Sequence, residues 1–368
     1  MINRRDALKL SGASALAAFS SAKPMSVSGA TSGKRITVAG YPYDRVRAIR
    51  DGEAGMGTLE VTFQPSNIYE LNDQVLGGGG AFDVAEVGLI PYMTKYIDGG
   101  FRDYVLLPIF ISRSFRHRNI YVHVDSGIEK PEDLRGRKVG TPGYGASSNT
   151  WIRGMLQDQY SVAPDDMEWI ETQASSDKKG GLNTSSGGGS RYHLPTDFPL
   201  VQGPPGVDES QLLLSGACDA LITAITPRAV AEGDPKVRTL FRDFRAAEQA
   251  YYRDTGLFPI MHAVAIKADL AAENPSLPSA VFRMYSEAKH RAYQDLASTT
   301  VLRTSLPWAA DEYEDTRSLM GDDYWRYGVE ANKKELELLV RYAHEQGLVS
   351  KRINYLDMFH PLTVELTG

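Results

Sequence analysis

From Arg35 onwards, short apolar runs of strand length alternate with stretches of helical periodicity, and no other feature limits the possible folds as strongly. The first run is Ile36 to Ala39, and helical spacing follows at residues 68–76. Strands that alternate with helices predict parallel sheets with helices on both faces. A second such unit begins at Ile120, and the chain becomes almost wholly helical after residues 262–266. We therefore predict an α/β fold with two lobes and C-terminal helices.

The order of these units predicts how the lobes are composed. Residues 34–112 together with 260–368 are expected to form the first lobe, and residues 113–259 the second. The chain would cross between the lobes twice, near residues 113–120 and 258–262, and the crossings would act as a hinge. Because ligands of open α/β sheets bind at the carboxyl ends of strands, two facing lobes predict a small ligand buried between them.

One stretch of the second lobe departs from the alternation. Residues 174–206 are rich in Gly, Ser, Lys and Pro and include the run Gly187-Gly-Gly-Ser190. Such a composition favours a mobile surface segment. We predict a flexible insertion around one short strand at Phe198 to Val201.

The first 33 residues resemble an export signal. Paired arginines at Arg4 and Arg5 precede an Ala-, Ser- and Leu-rich stretch at residues 10–19, and small residues follow at 20–22. This pattern predicts a twin-arginine-like signal peptide with a linker, and therefore a periplasmic location. The alternative is a frayed amphipathic helix, in which case the protein would be cytoplasmic. No later apolar run reaches the length of about 18 residues that predicts a transmembrane helix.

Composition narrows the kind of ligand. Hydrophobic residues make up 42% of the chain and charged residues 23%, as in a soluble globular protein. The net charge of −6 argues against nucleic acid, so arginine clusters are expected to serve a small molecule. The single cysteine, Cys218, cannot form an internal disulfide and is expected to be buried. No His, Cys or Asp pair has metal-ligand spacing, and hydrolase, P-loop and dinucleotide motifs are absent from the sequence.

Residues 112–118 place three arginines and a histidine directly before a strand with alternating apolar residues. A solvated linker is one interpretation of such a charge run. The position between two lobes favours the other, in which Arg113, Arg116 and His117 form an anion clamp at the hinge. Arginine forks match carboxylates with two parallel hydrogen bonds.

Three loops are expected to converge on the same cleft. They are Tyr41 to Arg45, Glu86 with Gly88, and Gly143 to Thr150. The third opens a helix, whose backbone N–H groups and hydroxyls would bind a carboxylate or phosphate, although an ordinary capped helix start has the same pattern. The predicted ligand carries one or two carboxylates on a flat body. The aromatic residues that could stack on it are Tyr43, Phe115, Tyr144 and Trp151.

These residues and their surroundings are similar to the 4,5-dihydroxyphthalate decarboxylase family, which itself resembles type II periplasmic substrate-binding proteins. The resemblance covers, in order, nearly the whole chain after residue 33. The matching stretches are Tyr43-Asp-Arg45, Phe82-Asp-Val-Ala-Glu86, Ser112-Arg-Ser-Phe-Arg-His117, Ile120-Tyr-Val122, Asp125-Ser-Gly-Ile128, Pro131-Glu-Asp-Leu134, Trp151-Ile-Arg-Gly154, Gly256-Leu-Phe-Pro-Ile-Met-His262, Leu306-Pro-Trp308 and Tyr342-Ala-His-Glu-Gln-Gly-Leu348.

The resemblance implies decarboxylation of an aromatic dicarboxylate such as 4,5-dihydroxyphthalate without a cofactor, and the lack of metal-ligand spacing predicts no metal. The substrate would be its own electron sink, so the protein would supply cations, a base and an acid. In that scheme His117 or His262 is the proton donor and Glu86 or Asp44 assists the phenol. The residues expected to bind substrate are Tyr43, Asp44, Arg45, Arg113, Phe115, Arg116, Tyr144, Ser147, Ser148 and Trp151.

A second hypothesis stays open on the sequence. The same cleft would serve an exported solute-binding protein that delivers an aromatic or other small carboxylate to a membrane permease. The predicted export signal favours binding, whereas the family resemblance favours the enzyme.

Overall fold

The alternating strands and helices form two separate β-sheets in the computed structural model, which describes residues 35–172, 174–176 and 192–368. The predicted signal peptide and linker, residues 1–33, lie outside the described residues, as do residues 177–191 of the predicted insertion. Among the described helices, none is both long enough and apolar enough to cross a membrane.

The strands follow one another with short connections, as the sequence pattern predicts. They are β1 (Arg35–Gly40), β2 (Glu60–Pro65), β3 (Val84–Gly88), β4 (Tyr104–Arg113), β5 (Ile120–His123), β6 (Lys138–Thr141), β7 (Glu168–Glu171), β8 (Leu200–Gln202), β9 (Ala220–Ile222), β10 (Val237–Thr239) and β11 (Ile260–Lys267).

The first sheet has the strand order β2-β1-β3-β11-β4, and the second has the order β10-β5-β9-β6-β7-β8. Both are mixed, whereas the sequence pattern predicted parallel sheets. In the first sheet β1, β2 and β3 are parallel, but β11 is antiparallel to β3 and to β4. In the second, β6, β7, β8 and β9 are parallel, but β5 is antiparallel to β9. The reason is that β5 and β11 each enter their sheet from a crossing, at the edge where the parallel strands end.

Helices cover the sheets. They are α1 (Arg47–Arg50), α2 (Ile68–Leu76), α3 (Leu89–Ile97), α4 (Ser147–Tyr160), α5 (Glu209–Leu214), α6 (Arg228–Ala231), α7 (Phe244–Thr255), α8 (Ala268–Glu273), α9 (Leu277–Ala297), α10 (Ala309–Met320) and α11 (Lys333–Glu345).

Alternate residues of β4 point into different cores. Leu106 and Phe110 contribute to an apolar cluster that continues into the second sheet and its helices. Leu107 and Ile109 contribute to a cluster on the opposite face, under α1 and α9. The strand is buried on both faces because helices cover both, which explains why its sequence is a nearly continuous apolar run.

The chain crosses between the sheets twice, as expected. The first crossing joins β4 to β5, and the second joins α7 to β11. The two crossings lie side by side, since Ser114 N donates to Pro259 O at 3.2 Å. Trp151 of α4 fixes the second crossing by donating from its indole nitrogen to Ile260 O at 2.7 Å.

Helix α11 packs against α4 of the second sheet, although it follows the return strand of the first. The ring of Tyr342 lies against Gly154, and its hydroxyl donates to Asp158 at 2.6 Å. Arg153 of α4 donates to Gln346 at 2.7 Å. The described residues accordingly belong to one compact unit.

Part of the predicted flexible insertion packs against the core. Tyr192, Leu194 and Phe198 pack against the apolar cluster that spans both sheets. His193 N donates to Gly347 O, and residues 200–202 form β8 at the edge of the second sheet. These aromatic and leucine side chains therefore attach the described residues 192–202 to the core, and the mobility of residues 174–206 stays a prediction.

Candidate active site

A cavity of about 260 Å³ opens where the strands of both sheets end. The carboxyl ends of β1, β3, β6 and β9 meet there with the end of β4 and the start of β11, as the fold rule for open sheets predicts. Its volume is just below the range of about 300–1,000 Å³ typical of drug-sized ligands, so it suits a molecule with one ring. Polar and aromatic residues that line the cavity include Tyr41, Tyr69, Asn72, Ser112, Arg116, Ser147, Ser148, Asn149, Tyr192 and His262.

A histidine and a carboxylate form a close pair at one wall of this cavity. His262 Nδ1 lies 2.6 Å from Glu86 Oε1. Glu86 is 1% exposed and also accepts hydrogen bonds from Tyr43 Oη at 2.9 Å and from Tyr41 N at 3.0 Å. Since a carboxylate only accepts, His262 donates from Nδ1, which leaves Nε2 to exchange a proton with a ligand. The pair therefore has the geometry of a histidine oriented by a carboxylate.

Strand register explains how the pair forms. His262 lies opposite Gly88 in the antiparallel pairing of β11 with β3, and Glu86 is the diagonal neighbour on the same face. Gly88 has no side chain, so the imidazole can reach across to Glu86. The pairing of β11 with β4 is irregular on both sides of His262, and such bulges reorient side chains next to functional sites.

Tyr43 stands behind the pair rather than in the cavity. Its hydroxyl is held by Glu86, and burial, together with the Glu86 charge, raises the pKa of Tyr43 well above its ordinary value. The phenol is therefore a permanent donor to Glu86. Tyr43 was expected to stack on the ligand, but it does not line the cavity.

Arg116 is the one lysine or arginine among the described residues that lines the cavity. Its Nε is buried without a hydrogen-bond partner in the described part of the chain, and Nη1 makes one long contact of 3.4 Å with Asn119 Oδ1. Burial lowers the pKa of Arg116 to about 10, so it stays charged at neutral pH. A guanidinium with donors left over at a cavity wall fits the predicted role of binding a carboxylate.

The first turn of α4 forms another wall of the cavity. Ser147 and Ser148 line the cavity as predicted, and Ser147 Oγ accepts a hydrogen bond from Ile90 N at 3.0 Å. The N-cap residue is Ala146, which has no side chain to accept from the N–H groups of the first turn. These N–H groups and the helix dipole favour a negative charge at this wall.

Arg113 does not line the cavity, and its predicted role as an anion clamp is corrected. The guanidinium donates to Phe258 O, Arg326 O, Asn332 Oδ1 and Glu335 Oε1 at 2.6–3.1 Å. All five of its N–H donors are thereby used inside the protein. Arg113 instead holds the second crossing to α11.

Arg45 and Asp44 are also placed away from the cavity. The Arg45 guanidinium lies 3.8 Å from the ring centroid of Tyr43 and 4.0 Å from that of Trp325, and it donates to Ile111 O. Asp44 pairs with Arg45 at 3.2 Å and is largely exposed. Both were predicted to bind substrate, and the structure uses them to fix the loop that carries Tyr43.

The predicted roles of His117 in the anion clamp and as a proton donor are also corrected. It is 1% exposed and packs between the rings of Phe241 and Tyr251, with centroid distances of 5.0 and 5.2 Å. Neither ring nitrogen has a hydrogen-bond partner among the described residues, and burial lowers the pKa of His117 to about 4. Since it neither lines the cavity nor contacts His262, the structure leaves it no access to a ligand there.

The aromatic residues that line the cavity also differ from those predicted to stack on the ligand. Phe115 packs on Tyr252 and Phe258, Tyr144 is buried beside Trp169, and Trp151 is buried under α11. The rings that line the cavity are those of Tyr41, Tyr69 and Tyr192. Tyr41 lies nearly parallel to the imidazole of His262, with an interplanar angle of 15°.

Tyr192 is the cavity residue that sequence reasoning missed most clearly. Its hydroxyl donates to Glu171 Oε1 at 3.0 Å and accepts from Gly145 N at 3.2 Å, so it fixes the loop before α4. Glu171 also accepts from Tyr144 N at 2.8 Å. The available signal was an aromatic residue at the end of a Gly/Ser-rich run, because an isolated aromatic side chain in such a run usually packs against other apolar residues.

Comparison with curated proteins identifies the family. The chain is 31% identical over 336 residues to a 4,5-dihydroxyphthalate decarboxylase of Comamonas testosteroni, covering 90% of this chain and 98% of the relative. It is 30% identical over 218 residues to the protein of the same name from Pseudomonas putida, covering 59% of this chain and 81% of the relative. The chain belongs to the 4,5-dihydroxyphthalate decarboxylase family.

Wider similarities agree on the fold of this family member. A family model described as NMT1/THI5 like matches residues 114–183. Among solved structures, the periplasmic aliphatic sulphonate binding protein of Escherichia coli superposes with a TM-score of 0.51 at 15% identity, covering 89% of this chain and 98% of that protein. The predicted two-lobed, type II periplasmic-binding-protein-like fold is therefore confirmed for this member of the decarboxylase family.

Proposed function

We propose that this protein decarboxylates an aromatic dicarboxylate such as 4,5-dihydroxyphthalate to protocatechuate, without a cofactor. The observation that carries the proposal is the Glu86–His262 pair at the wall of a cavity that also contains Arg116. The names of the two curated relatives support the substrate class.

The chemistry needs few groups. In 4,5-dihydroxyphthalate each carboxylate is para to a hydroxyl, so loss of the phenolic proton sends electron density to the carbon that bears the carboxylate. A proton from His262 Nε2 adds to that carbon and gives a dienone. The carbon–carboxylate bond then breaks, CO2 leaves, and its electron pair restores the aromatic ring as the product phenolate. The phenolate regains a proton and His262 is reprotonated from water, so one proton is consumed for each CO2.

The protein contributes orientation and charge to this sequence. Glu86 is buried and holds His262 through Nδ1, which stabilises the imidazolium before it donates. Arg116 offers a guanidinium to the carboxylate that is retained. The carboxylate that leaves becomes neutral CO2, which the apolar lining from Ile68, Pro91 and Met261 accommodates better than a charge.

The direct test is to incubate purified protein with 4,5-dihydroxyphthalate and measure CO2 and protocatechuate together. Equal amounts of both products, without added metal or cofactor, are expected. Tight binding of the substrate with no turnover would exclude the enzyme and leave a binding protein.

The second candidate is an exported solute-binding protein for a small carboxylate, with a membrane permease as its partner. Two observations favour it: the twin-arginine-like pattern in residues 1–33 and the fold shared with a sulphonate-binding protein. We propose that the chain is exported in either case. Fractionation of cells that express the full chain should place the protein in the periplasm, and retention in the cytoplasm would exclude export.

A further inference from the structure

We propose that the first turn of α4, with Asn149, is a subsite for the two neighbouring hydroxyls of a catechol, one of them ionised. This inference rests on the proposed function, because it assigns the hydroxyl end of the substrate. The carboxylate end would then lie toward Arg116 and His262.

Asn149 supplies the observation that separates this subsite from an ordinary helix start. The residue is 1% exposed and lines the cavity. Its Nδ2 donates to Thr141 Oγ1 at 3.0 Å and to Gly143 O at 2.8 Å, which fixes the orientation of the amide. Oδ1 is therefore the acceptor left over, and it has no hydrogen-bond partner among the described residues. A buried acceptor without a donor is destabilising, so a ligand that donates to it is favoured.

Donors and this one acceptor lie together at the start of the helix. The N–H groups of the first turn, at Ser147, Ser148 and Asn149, are not capped by Ala146. They suit an anionic oxygen, and the helix dipole adds to the attraction. A carboxylate would satisfy these donors but carries no proton for Asn149 Oδ1. A catechol monoanion offers one anionic oxygen and one adjacent hydroxyl, which matches both halves of the subsite.

The arrangement also assigns the carboxylate and the phenolate of the ligand to different groups of the cavity. Arg116 is the one arginine or lysine of the described residues at the cavity, and a guanidinium binds a carboxylate better than a phenolate because two parallel bonds form. A phenolate that the helix start stabilises needs no strong base beside it. The subsite therefore explains how the substrate is ionised in a cavity whose described lining contains neither an aspartate nor a glutamate.

The test uses 4-nitrocatechol, whose absorbance changes on ionisation and whose flat nitro group is para to one hydroxyl. Titration of the probe on saturating full-length protein should give an ionisation midpoint about one pH unit below that of the free probe. The methyl ether 2-methoxy-4-nitrophenol cannot donate to Asn149 Oδ1 from the blocked position and should bind about tenfold more weakly. An unchanged or raised midpoint, or equal binding of the ether, would overturn the subsite.

Two variants test whether Asn149 is where the ionisation midpoint of the probe is lowered. Asn149→Asp puts a carboxylate beside the bound phenolate and should abolish the lowered midpoint. Gln159→Glu makes the same change of charge at an exposed position near the other end of α4 and should keep it. If both variants behave alike, the subsite is wrong. Should Asn149→Asp fail to fold because it loses two donated bonds, the wild-type titration and the ether still decide.

Release of CO2 from 4,5-dihydroxyphthalate is measured separately. A protein that ionises the probe but releases no CO2 would retain the subsite and lose the decarboxylase proposal. A protein that releases CO2 but leaves the ionisation of the probe unchanged would retain the decarboxylase proposal and lose the subsite.

Discussion

His262 Nδ1 and Glu86 Oε1 lie 2.6 Å apart, on neighbouring antiparallel strands and with the carboxylate almost fully buried. The imidazole therefore presents Nε2 to the cavity in a fixed orientation. This pair is the reason for expecting proton transfer at the site.

Replacing His262 with Asn should lower kcat by about 100-fold or more, because general acid catalysis typically contributes that much or more. Glu86→Gln should also lower kcat, since it removes the charge that stabilises the imidazolium. Binding of protocatechuate should change little in either variant. Steady-state kinetics with CO2 detection and calorimetric binding of the product distinguish the two effects, and wild-type kcat in His262→Asn would remove the histidine from the mechanism.

Arg116→Gln should weaken binding of the dicarboxylate about 10- to 100-fold, because hydrogen bonds to a charged group contribute about 1.5–3 kcal/mol. The matched control is Arg118→Gln, two residues away, where the guanidinium pairs with Glu248 and is half exposed. The control should bind normally. Binding to the wild type should also weaken as pH rises through about 10, where Arg116 loses its charge. Equal losses in both variants would contradict a specific role.

Because of His117, the free energy of unfolding should be lower in mild acid than at neutral pH. Burial lowers the pKa of His117 to about 4, whereas an unfolded histidine titrates near 6.5, so only the unfolded chain gains the proton between these values. The free energy of unfolding should fall by about 2 kcal/mol from this residue between pH 7 and pH 5. Denaturant unfolding of the wild type and of His117→Leu at both pH values measures the difference, which the variant should lack.

The same His117→Leu variant should retain wild-type turnover at pH 7, since the residue does not line the cavity. Loss of turnover in a folded variant would restore the role that the sequence suggested for it.

The packing of α11 on α4 can be tested at Gly154. A Cβ there would lie 2.4 Å from the ring of Tyr342, so Gly154→Ala should destabilise the protein by about 1–3 kcal/mol through overpacking. Gly55→Ala is the control, because a Cβ at that exposed residue meets nothing within 4 Å. Thermal unfolding of both variants gives the comparison, and an equally small effect at both positions would contradict the close packing.

The sequence was most informative where a feature depends on neighbouring residues. Helix α2 has the predicted bounds, Ile68–Leu76, because local periodicity determines it. The three loops predicted to form the cleft do contribute to the cavity, since strand ends in an α/β sheet meet at one edge. The strands β5 and β11 were predicted but their antiparallel direction was not, because direction depends on where the chain re-enters a sheet.

Side-chain roles were harder to predict, because their partners are distant in sequence. Arg113 looked like a free cation, but it is paired with Glu335, which is 222 residues away. His262 and Glu86 were both named as candidates, yet their pairing depends on the register of β11 against β3. Arg116 and Arg113 are indistinguishable in the sequence, and only the direction of each side chain in the structure shows which one lines the cavity.

The hydrogen bond from Ile90 N to Ser147 Oγ joins the first turns of α3 and α4, which belong to different sheets. The apolar cluster that contains Ile90 continues through α4 to α11, so parting the lobes here would expose buried surface to water. A solute-binding protein must release its ligand when it binds the permease, which requires that the lobes separate at a low free-energy cost. An enzyme needs only a passage wide enough for a one-ring acid to enter and for CO2 to escape. The contact between Ile90 and Ser147 therefore adds a free-energy cost to wide separation of the two sheets, a motion that delivery by a carrier needs.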